Sequence, residues 1–249
     1  FAPDGLTIAS SSLYGTVKLW NLQVQVFQTL EVHDSAFYGV SFAPDGQTIA
    51  STHKSGTVKL WNLQGQVLQT LEGHDGTDHD VSFAPDGQTI ASASADGTVK
   101  LWSPQGEELQ TLSGHLAEVW SVGFTSDSQT IVSASEDGTV KLWSPQGEEL
   151  QTLSGHFGGV SSVSFAPDSE TLASASLDGT VILWNFDLDD LLAKSCDQLR
   201  DYLQNPITPE AERQVLCPDR VAPVRQAASP LGVPLGPVVG WVRQWLDLT

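Results

Sequence analysis

Residues 96–115 read DGTVKLWSPQGEELQTLSGH, and residues 137–156 repeat the same 20 letters. The same period extends along the chain, because five tryptophans and five phenylalanines recur at steps of 41 residues. They are Trp20, Trp61, Trp102, Trp143 and Trp184, with Phe1, Phe42, Phe83, Phe124 and Phe165. A fixed period of this length is typical of repeat proteins in which each unit is one supersecondary structure. The spacing predicts five related units.

Each unit contains four short segments with strand character, separated by turns. In the third unit these are VSFAPDG at 81–87, QTIASAS at 88–94, TVKLW at 98–102 and ELQTL at 108–112. The turn at Ala95-Asp96-Gly97 requires a positive φ at the glycine. Strands at this spacing predict an antiparallel sheet. A four-stranded unit of this length is typical of a propeller blade, so we expect an all-β fold.

The Gly-His pairs and the tryptophans that end the third strands resemble the WD-repeat family over about residues 1–186. The pairs are Gly73-His74, Gly114-His115 and Gly155-His156. The resemblance implies a β-propeller in which His, a strand-two Ser, the turn Asp and the Trp form a hydrogen-bonded structural tetrad. Transferred by position, the tetrads are His74/Ser92/Asp96/Trp102, His115/Ser133/Asp137/Trp143 and His156/Ser174/Asp178/Trp184. Such a network would keep buried polar groups paired.

The first two units depart from the family pattern. Ser55 stands where His33 would need its aspartate, and Tyr14 takes that place in the first unit, which also has no histidine. No tryptophan of the repeats is followed by aspartate. We therefore expect blades 1 and 2 to be stabilised by fewer tetrad hydrogen bonds than the other three.

The repeat also predicts an incomplete propeller. The strand that should precede Phe1 is missing from the first blade, and no ELQTL-like strand follows Trp184. In the WD-repeat family the ring closes when one blade takes strands from both ends. The resemblance therefore implies the C-terminal part of a longer propeller, with upstream blades of the same full-length chain as partners.

The remaining sequence divides into two further segments. Residues 187–217 predict a helical extension with helices at 188–204 and 209–216, which would pack on the propeller or dock a partner helix. Residues 218–249 are proline-rich and predict a largely irregular tail. The segment after the repeats resembles the ends of cyanobacterial-type multidomain WD-repeat proteins, which often carry a NACHT/STAND NTPase or a protein kinase upstream. That resemblance implies a sensor in a signalling protein.

The net charge limits the kinds of partner that we expect, and the cysteine content indicates the cell compartment. The net charge is −19, and residues 1–186 hold 5 Lys against 21 Asp and Glu. Such a surface repels phosphate backbones, so we expect no nucleic acid partner. The acidity could favour basic proteins or peptides, or simply keep a repeat protein soluble. No apolar run is long enough to cross a membrane, and Cys196 and Cys217 predict ordinary thiols of a cytoplasmic protein.

Function should lie in the columns where the repeats differ. The first column holds Ala36, Thr77, Glu118 and Gly159, the second holds Tyr38, His79, Trp120 and Ser161, and the third holds Leu13, Lys54, Ala95, Glu136 and Leu177. From the family, these three columns should meet on one rim of the propeller, and Trp and Tyr are frequent anchors of protein interfaces. The candidate partner-binding residues are Tyr38, His79, Trp120, Glu118, Glu136 and Leu177. Neutral drift after duplication is the alternative explanation of these differences.

These observations predict a non-catalytic interaction scaffold or sensor without cofactor, metal or catalytic residues. The Ser, His and Asp set recurs three times in one register, whereas an active site is normally built once. The alternative is a propeller-based hydrolase or other enzyme, with its site near the atypical Asp75–Asp80 loop. That loop holds Asp75, Thr77, Asp78, His79 and Asp80.

Overall fold

The computed structural model describes residues 1–31 and 36–187, and every helix or strand within these ranges is a β-strand. The all-β prediction is therefore confirmed for this part of the chain. Residues Phe1–Asp187 form one compact unit. Several expectations fall outside the described residues: His33, the helices at 188–204 and 209–216, the thiols Cys196 and Cys217, and the tail at 218–249.

The 18 strands form five antiparallel sheets in chain order, which we call blades 1 to 5. Blade 1 is β1 (Thr7–Ser12), β2 (Thr16–Asn21) and β3 (Val26–Glu31). Blade 2 is β4 (Phe37–Phe42), β5 (Thr48–His53), β6 (Thr57–Asn62) and β7 (Val67–Glu72). Blade 3 is β8 (Asp78–Phe83), β9 (Ile90–Ser94), β10 (Thr98–Trp102) and β11 (Glu108–Ser113). Blade 4 is β12 (Val119–Phe124), β13 (Ile131–Ser135), β14 (Thr139–Trp143) and β15 (Glu149–Ser154), and blade 5 is β16 (Val160–Phe165), β17 (Thr171–Ser176) and β18 (Val181–Asn185).

Within each blade, consecutive strands pair in order, so the sheets are simple meanders. The first strands of blades 2 to 5 follow one another in contact, β4 with β8, β8 with β12, and β12 with β16. We call these the inner strands. Because each inner strand touches the next, the loops that enter them come together along one rim.

The apolar core lies between the blades. One cluster joins the face of blade 3 formed by Val99, Leu101 and Leu112 to the face of blade 4 that carries Ile131 and Trp143. Equivalent clusters join the other successive blades. Each blade is therefore stabilised chiefly by its neighbours, as in other repeat proteins.

The first and last blades differ from the three central ones. Each has three strands, whereas blades 2, 3 and 4 have four. Val181 and Leu183 of β18 are 65% and 69% exposed, although the equivalent Val140 and Leu142 are buried. The side of blade 5 that would face a following blade is thus open.

Val24 provides a test of backbone strain in blade 1. It has a φ of 62° in the turn between β2 and β3, where units 2, 3 and 4 have glycine at Gly65, Gly106 and Gly147. A β-branched residue is disfavoured in this left-handed region. We expect Val24→Gly to raise the free energy of unfolding by about 1 kcal/mol, and Val24→Ala by less. Urea denaturation would measure the free energy of unfolding of both variants. If Val24→Gly lowered it, the backbone at Val24 would not be strained.

Candidate functional site

The tetrad residues of blade 3 form a continuous hydrogen-bonded network. His74 Nδ1 lies 2.9 Å from Asp96 Oδ2, and His74 Nε2 lies 2.8 Å from Ser92 Oγ. The indole of Trp102 donates to the same Ser92 oxygen at 2.9 Å. Donors and acceptors match when the neutral imidazole donates from Nδ1 and accepts the Ser92 hydroxyl at Nε2. Every ring nitrogen is then occupied, which leaves none free to act as a general base.

The same geometry recurs in blades 4 and 5. Ser133 joins His115 at 2.7 Å and Trp143 at 2.8 Å, and Ser174 joins His156 at 2.8 Å and Trp184 at 2.9 Å. The remaining contacts are His115 with Asp137 at 2.9 Å and His156 with Asp178 at 3.1 Å. The structure thus brings together the residues of all three tetrads that were assigned from their positions in the repeats.

The turn aspartates also bind donors that the sequence reasoning missed. Asp137 accepts from the Thr139 hydroxyl and from the backbone N–H of Leu116. Although burial alone would raise the pKa of Asp137, these donors and His115 lower it to about 2. The first residue of the TVKLW-type strands is threonine in every unit, which was an available signal. Each aspartate consequently holds the loop after the histidine against its own turn.

Blades 1 and 2 keep only part of this network. Ser10 accepts from the Trp20 indole at 2.8 Å, and Ser51 accepts from the Trp61 indole at 2.8 Å. In blade 2, His53 Nε2 lies 3.3 Å from Ser51 Oγ, and the His53 ring packs against Phe37 with centroids 4.4 Å apart and planes tilted by 50°. The sequence comparison missed His53, because serine occupies the equivalent positions of the later blades.

The three variable columns lie on one rim of blades 2 to 5. In each of these blades a backbone hydrogen bond joins the first column to the third. The pairs are Lys54 N–H to Ala36 C=O, Ala95 to Thr77, Glu136 to Glu118, and Leu177 to Gly159, at 2.8 to 3.0 Å. The repeated bond places the differing side chains in equivalent positions along the rim.

The second column occupies β-bulges at the start of the inner strands. The pairing with the second strand skips His79, Trp120 and Ser161, and it also slips around Tyr38. A bulge turns a side chain away from the regular alternation of a strand, and bulges are frequent beside functional sites. The local backbone therefore presents the most variable side chains of the repeat at the rim.

The candidate rim residues contact one another from blade 2 to blade 5. The rings of Tyr38 and His79 meet edge to face at 5.7 Å, and His79 Nε2 lies 3.0 Å from Glu118 Oε2. The Trp120 indole donates to the same Glu118 oxygen at 3.3 Å. Its ring covers Gly159, where an added Cβ would lie 2.8 Å from the indole and 3.1 Å from the Glu136 backbone. Leu177 follows beside Gly159 and is 71% exposed.

Two further apolar side chains on this rim escaped the sequence reasoning. Leu116 is 93% exposed and Phe157 is 99% exposed. Both follow a tetrad histidine, and their backbone N–H groups bind Asp137 and Asp178, each at 2.9 Å. The column that holds them also contains Asp75, so its variation was visible in the aligned repeats.

The Asp75–Asp80 loop does not gather its polar side chains at one point. Asp78 points into the interior, Asp80 binds Ser121 of blade 4, and His79 binds Glu118. Among the described residues, no three His, Cys, Asp or Glu side chains are arranged to hold a metal ion. Over the same residues the structure contains no helix with the length and hydropathy needed to span a bilayer.

The family comparison agrees with the repeat. A model described as "WD domain, G-beta repeat" matches five segments, at residues 1–21, 24–62, 65–103, 106–144 and 147–185. No curated protein gives a significant match to the chain.

Proposed function

The chain belongs to the WD domain, G-beta repeat family, and from this premise we propose that its rim binds protein or peptide partners without catalysis. WD40 repeats generally mediate protein–protein interaction. The observation that carries the proposal is the set of contacting side chains from Tyr38 to Trp120, whose ring covers Gly159, with the exposed Leu177 beside it. Aromatic side chains that are held in place and partly exposed are common anchors of interfaces. Phe157 and Leu116 extend this set with the most exposed apolar surface of blades 4 and 5.

We propose that the preferred partners are basic. Asp75 and Glu136 are exposed on the rim, and the Glu118 side chain is 44% exposed. In the described loops and turns of this rim, Lys54 is the sole lysine or arginine. Charge of one sign around an apolar patch favours and orients partners of the opposite sign. A sensor role within a larger signalling protein would use the same surface.

The open side of blade 5 supports a second kind of partner. Val181 and Leu183 stand where blades 1 to 4 bury equivalent side chains against the next blade. We propose that further blades of a longer chain pack against this face. Such packing would remove apolar surface from water, as the four observed interblade clusters do.

A peptide-display selection on the chain would test the rim proposal. We expect the selected peptides to be enriched in Lys and Arg and to contain an apolar anchor. The bound peptides should be released by high salt, since charge pairs on an exposed rim are screened. Enrichment of acidic peptides, or of peptides that bind the opposite end of the blades, would contradict the proposal.

Trp120→Ala is expected to weaken binding of the selected peptides about tenfold, because an aromatic anchor of an interface is typically worth more than 1 kcal/mol. Titration calorimetry at pH 7.5 would measure the dissociation constants. Gln129→Ala is the matched control, since Gln129 is exposed in the β12–β13 turn at the other end of the same blade. If the Trp120→Ala variant and wild type bound the peptides with equal affinity, Trp120 would not be part of the binding surface.

A further inference from the structure

Asp78 occupies a position that is apolar in blades 2, 4 and 5. The equivalent residues are Phe37, Val119 and Val160, and each belongs to or borders a cluster that joins its blade to the preceding one. The Asp78 side chain is completely buried. Among the described residues, its two carboxylate oxygens are the only buried side-chain polar atoms without a hydrogen-bond partner. A charge in such a site loses its hydration and gains little in return.

The polar groups nearest to Asp78 are already engaged. The Ser94 hydroxyl donates to the Thr77 carbonyl at 3.1 Å. His74 uses both ring nitrogens in the tetrad, and its Nε2 lies 3.9 Å from Asp78 Oδ1, beyond hydrogen-bond distance. Burial raises the pKa of Asp78 to about 6, although the neighbouring His74 ring and the Ser94 hydroxyl act in the opposite direction.

The two residues that follow Asp78 on β8 bind other parts of the structure: His79 binds the rim and Asp80 binds blade 4. Asp80 accepts from the Ser121 hydroxyl at 3.0 Å and from the Val122 N–H at 3.1 Å. Burial raises the pKa of Asp80 to about 6 as well, against the effect of these donors. His79, between the two acids, is the rim residue that binds Glu118.

Several other titratable side chains lie on the strands and loops that pack around β8. Blade 2 contributes Tyr38, His53, Lys54 and Lys59. Burial and then Lys59 lower the pKa of His53 to about 4, so it remains neutral near pH 6. Within blade 3, Asp75 is exposed, Asp96 binds His74 and Lys100 binds Glu108. Blade 4 contributes Glu118. The charged groups that act on Asp78 are His74, which lowers its pKa, and Asp96, which raises it.

We propose that Asp78 is a proton-operated latch in blade 3: the protonated carboxyl fits its apolar site, and ionisation loosens the start of β8. The folded protein holds this proton more tightly than the unfolded chain, in which an aspartate has a pKa of about 3.9. The stabilising contribution is therefore fully present below about pH 4 and is lost as the pH rises through about 6. Blades 4 and 5, with valine at this position, have no equivalent latch.

Thermal unfolding of the full chain between pH 5 and pH 8 would test the latch with Asp78→Val, the residue of blades 4 and 5, and with Asp78→Asn. We expect Asp78→Val to raise Tm by about 5 °C at pH 7.5, and the gain to shrink towards pH 5. Asp78→Asn should likewise reduce the pH dependence, because it cannot ionise. Asp45→Val, an exposed aspartate in the β4–β5 turn, is the matched control and should not alter the pH profile.

Amide hydrogen exchange would locate the effect. In wild type, residues 78–83 should exchange faster at pH 7.5 than at pH 5 after correction for intrinsic rates, and Asp78→Val should remove the difference. Residues 119–124 of β12 serve as the internal reference. A Tm gain of equal size at pH 5 and pH 7.5, no gain, or loss of folding in Asp78→Val would overturn the proposal.

Discussion

Ser133→Ala should lower the free energy of unfolding by about 2–4 kcal/mol, because it leaves two buried donors or acceptors without partners. The Ser133 hydroxyl is fully buried and binds both His115 Nε2 and the Trp143 indole. Alanine fits the space but satisfies neither group. Urea denaturation followed by tryptophan fluorescence would measure the loss.

Two further variants separate the network from packing. Ser133→Thr keeps the hydroxyl and should recover most of the stability. Ser10→Ala removes the equivalent serine of blade 1, where the residue is exposed and binds only Trp20. That change should cost less than about 1 kcal/mol. Equal losses for Ser133→Ala and Ser10→Ala would show that the tetrad of blade 4 contributes no additional stability.

Gly56→Ala should lower the free energy of unfolding by a similar amount, about 2–4 kcal/mol. Gly56 has a φ of 75°, in the turn between β5 and β6. An added Cβ would overlap the carbonyl oxygen of Gly76 and lie 3.0 Å from that of His74. Both contacts are to the backbone of the loop that leads into blade 3, so a side-chain rotation cannot relieve them. Thermal unfolding would measure the variant.

Gly179 provides the control for conformational strain alone. It has a φ of 84° in the equivalent turn of blade 5, and an added Cβ there meets nothing within 4 Å. Gly179→Ala should therefore cost only about 1–2 kcal/mol. If the two alanine variants lose the same stability, the close approach between blades 2 and 3 has no energetic effect.

Much of the fold follows from local sequence. The order and approximate bounds of the strands could be predicted because alternation and Asp-Gly or Pro-Asp-Gly turns act within a few residues. The tetrads could be predicted because the resemblance to the WD-repeat family implies them and their residues stand at the same spacing in three units. Their geometry in the structure matches these spacings, from His74 to Trp184.

The rim could be predicted only in part. The variable columns indicated Tyr38, His79 and Trp120, but the β-bulges that present them depend on pairing with the second strand. Leu116 and Phe157 were visible as differences between repeats, yet their exposure depends on how the loop binds the turn aspartate. His53 was missed because the other units have serine at its position, and it approaches Ser51 from within β5 rather than from the loop that carries the tetrad histidines.

The sequence by itself determined the 41-residue unit and its strands, because these depend on short-range patterns that recur, and the resemblance to the WD-repeat family added the tetrads. Only the tertiary structure decided that Asp78 is buried without a partner and that Trp120 joins Glu118 and Gly159 into one surface. Burial and contacts between blades arise when residues about 40 positions apart pack together. The sequence of a single repeat does not show which residues of the neighbouring repeat its side chains will contact.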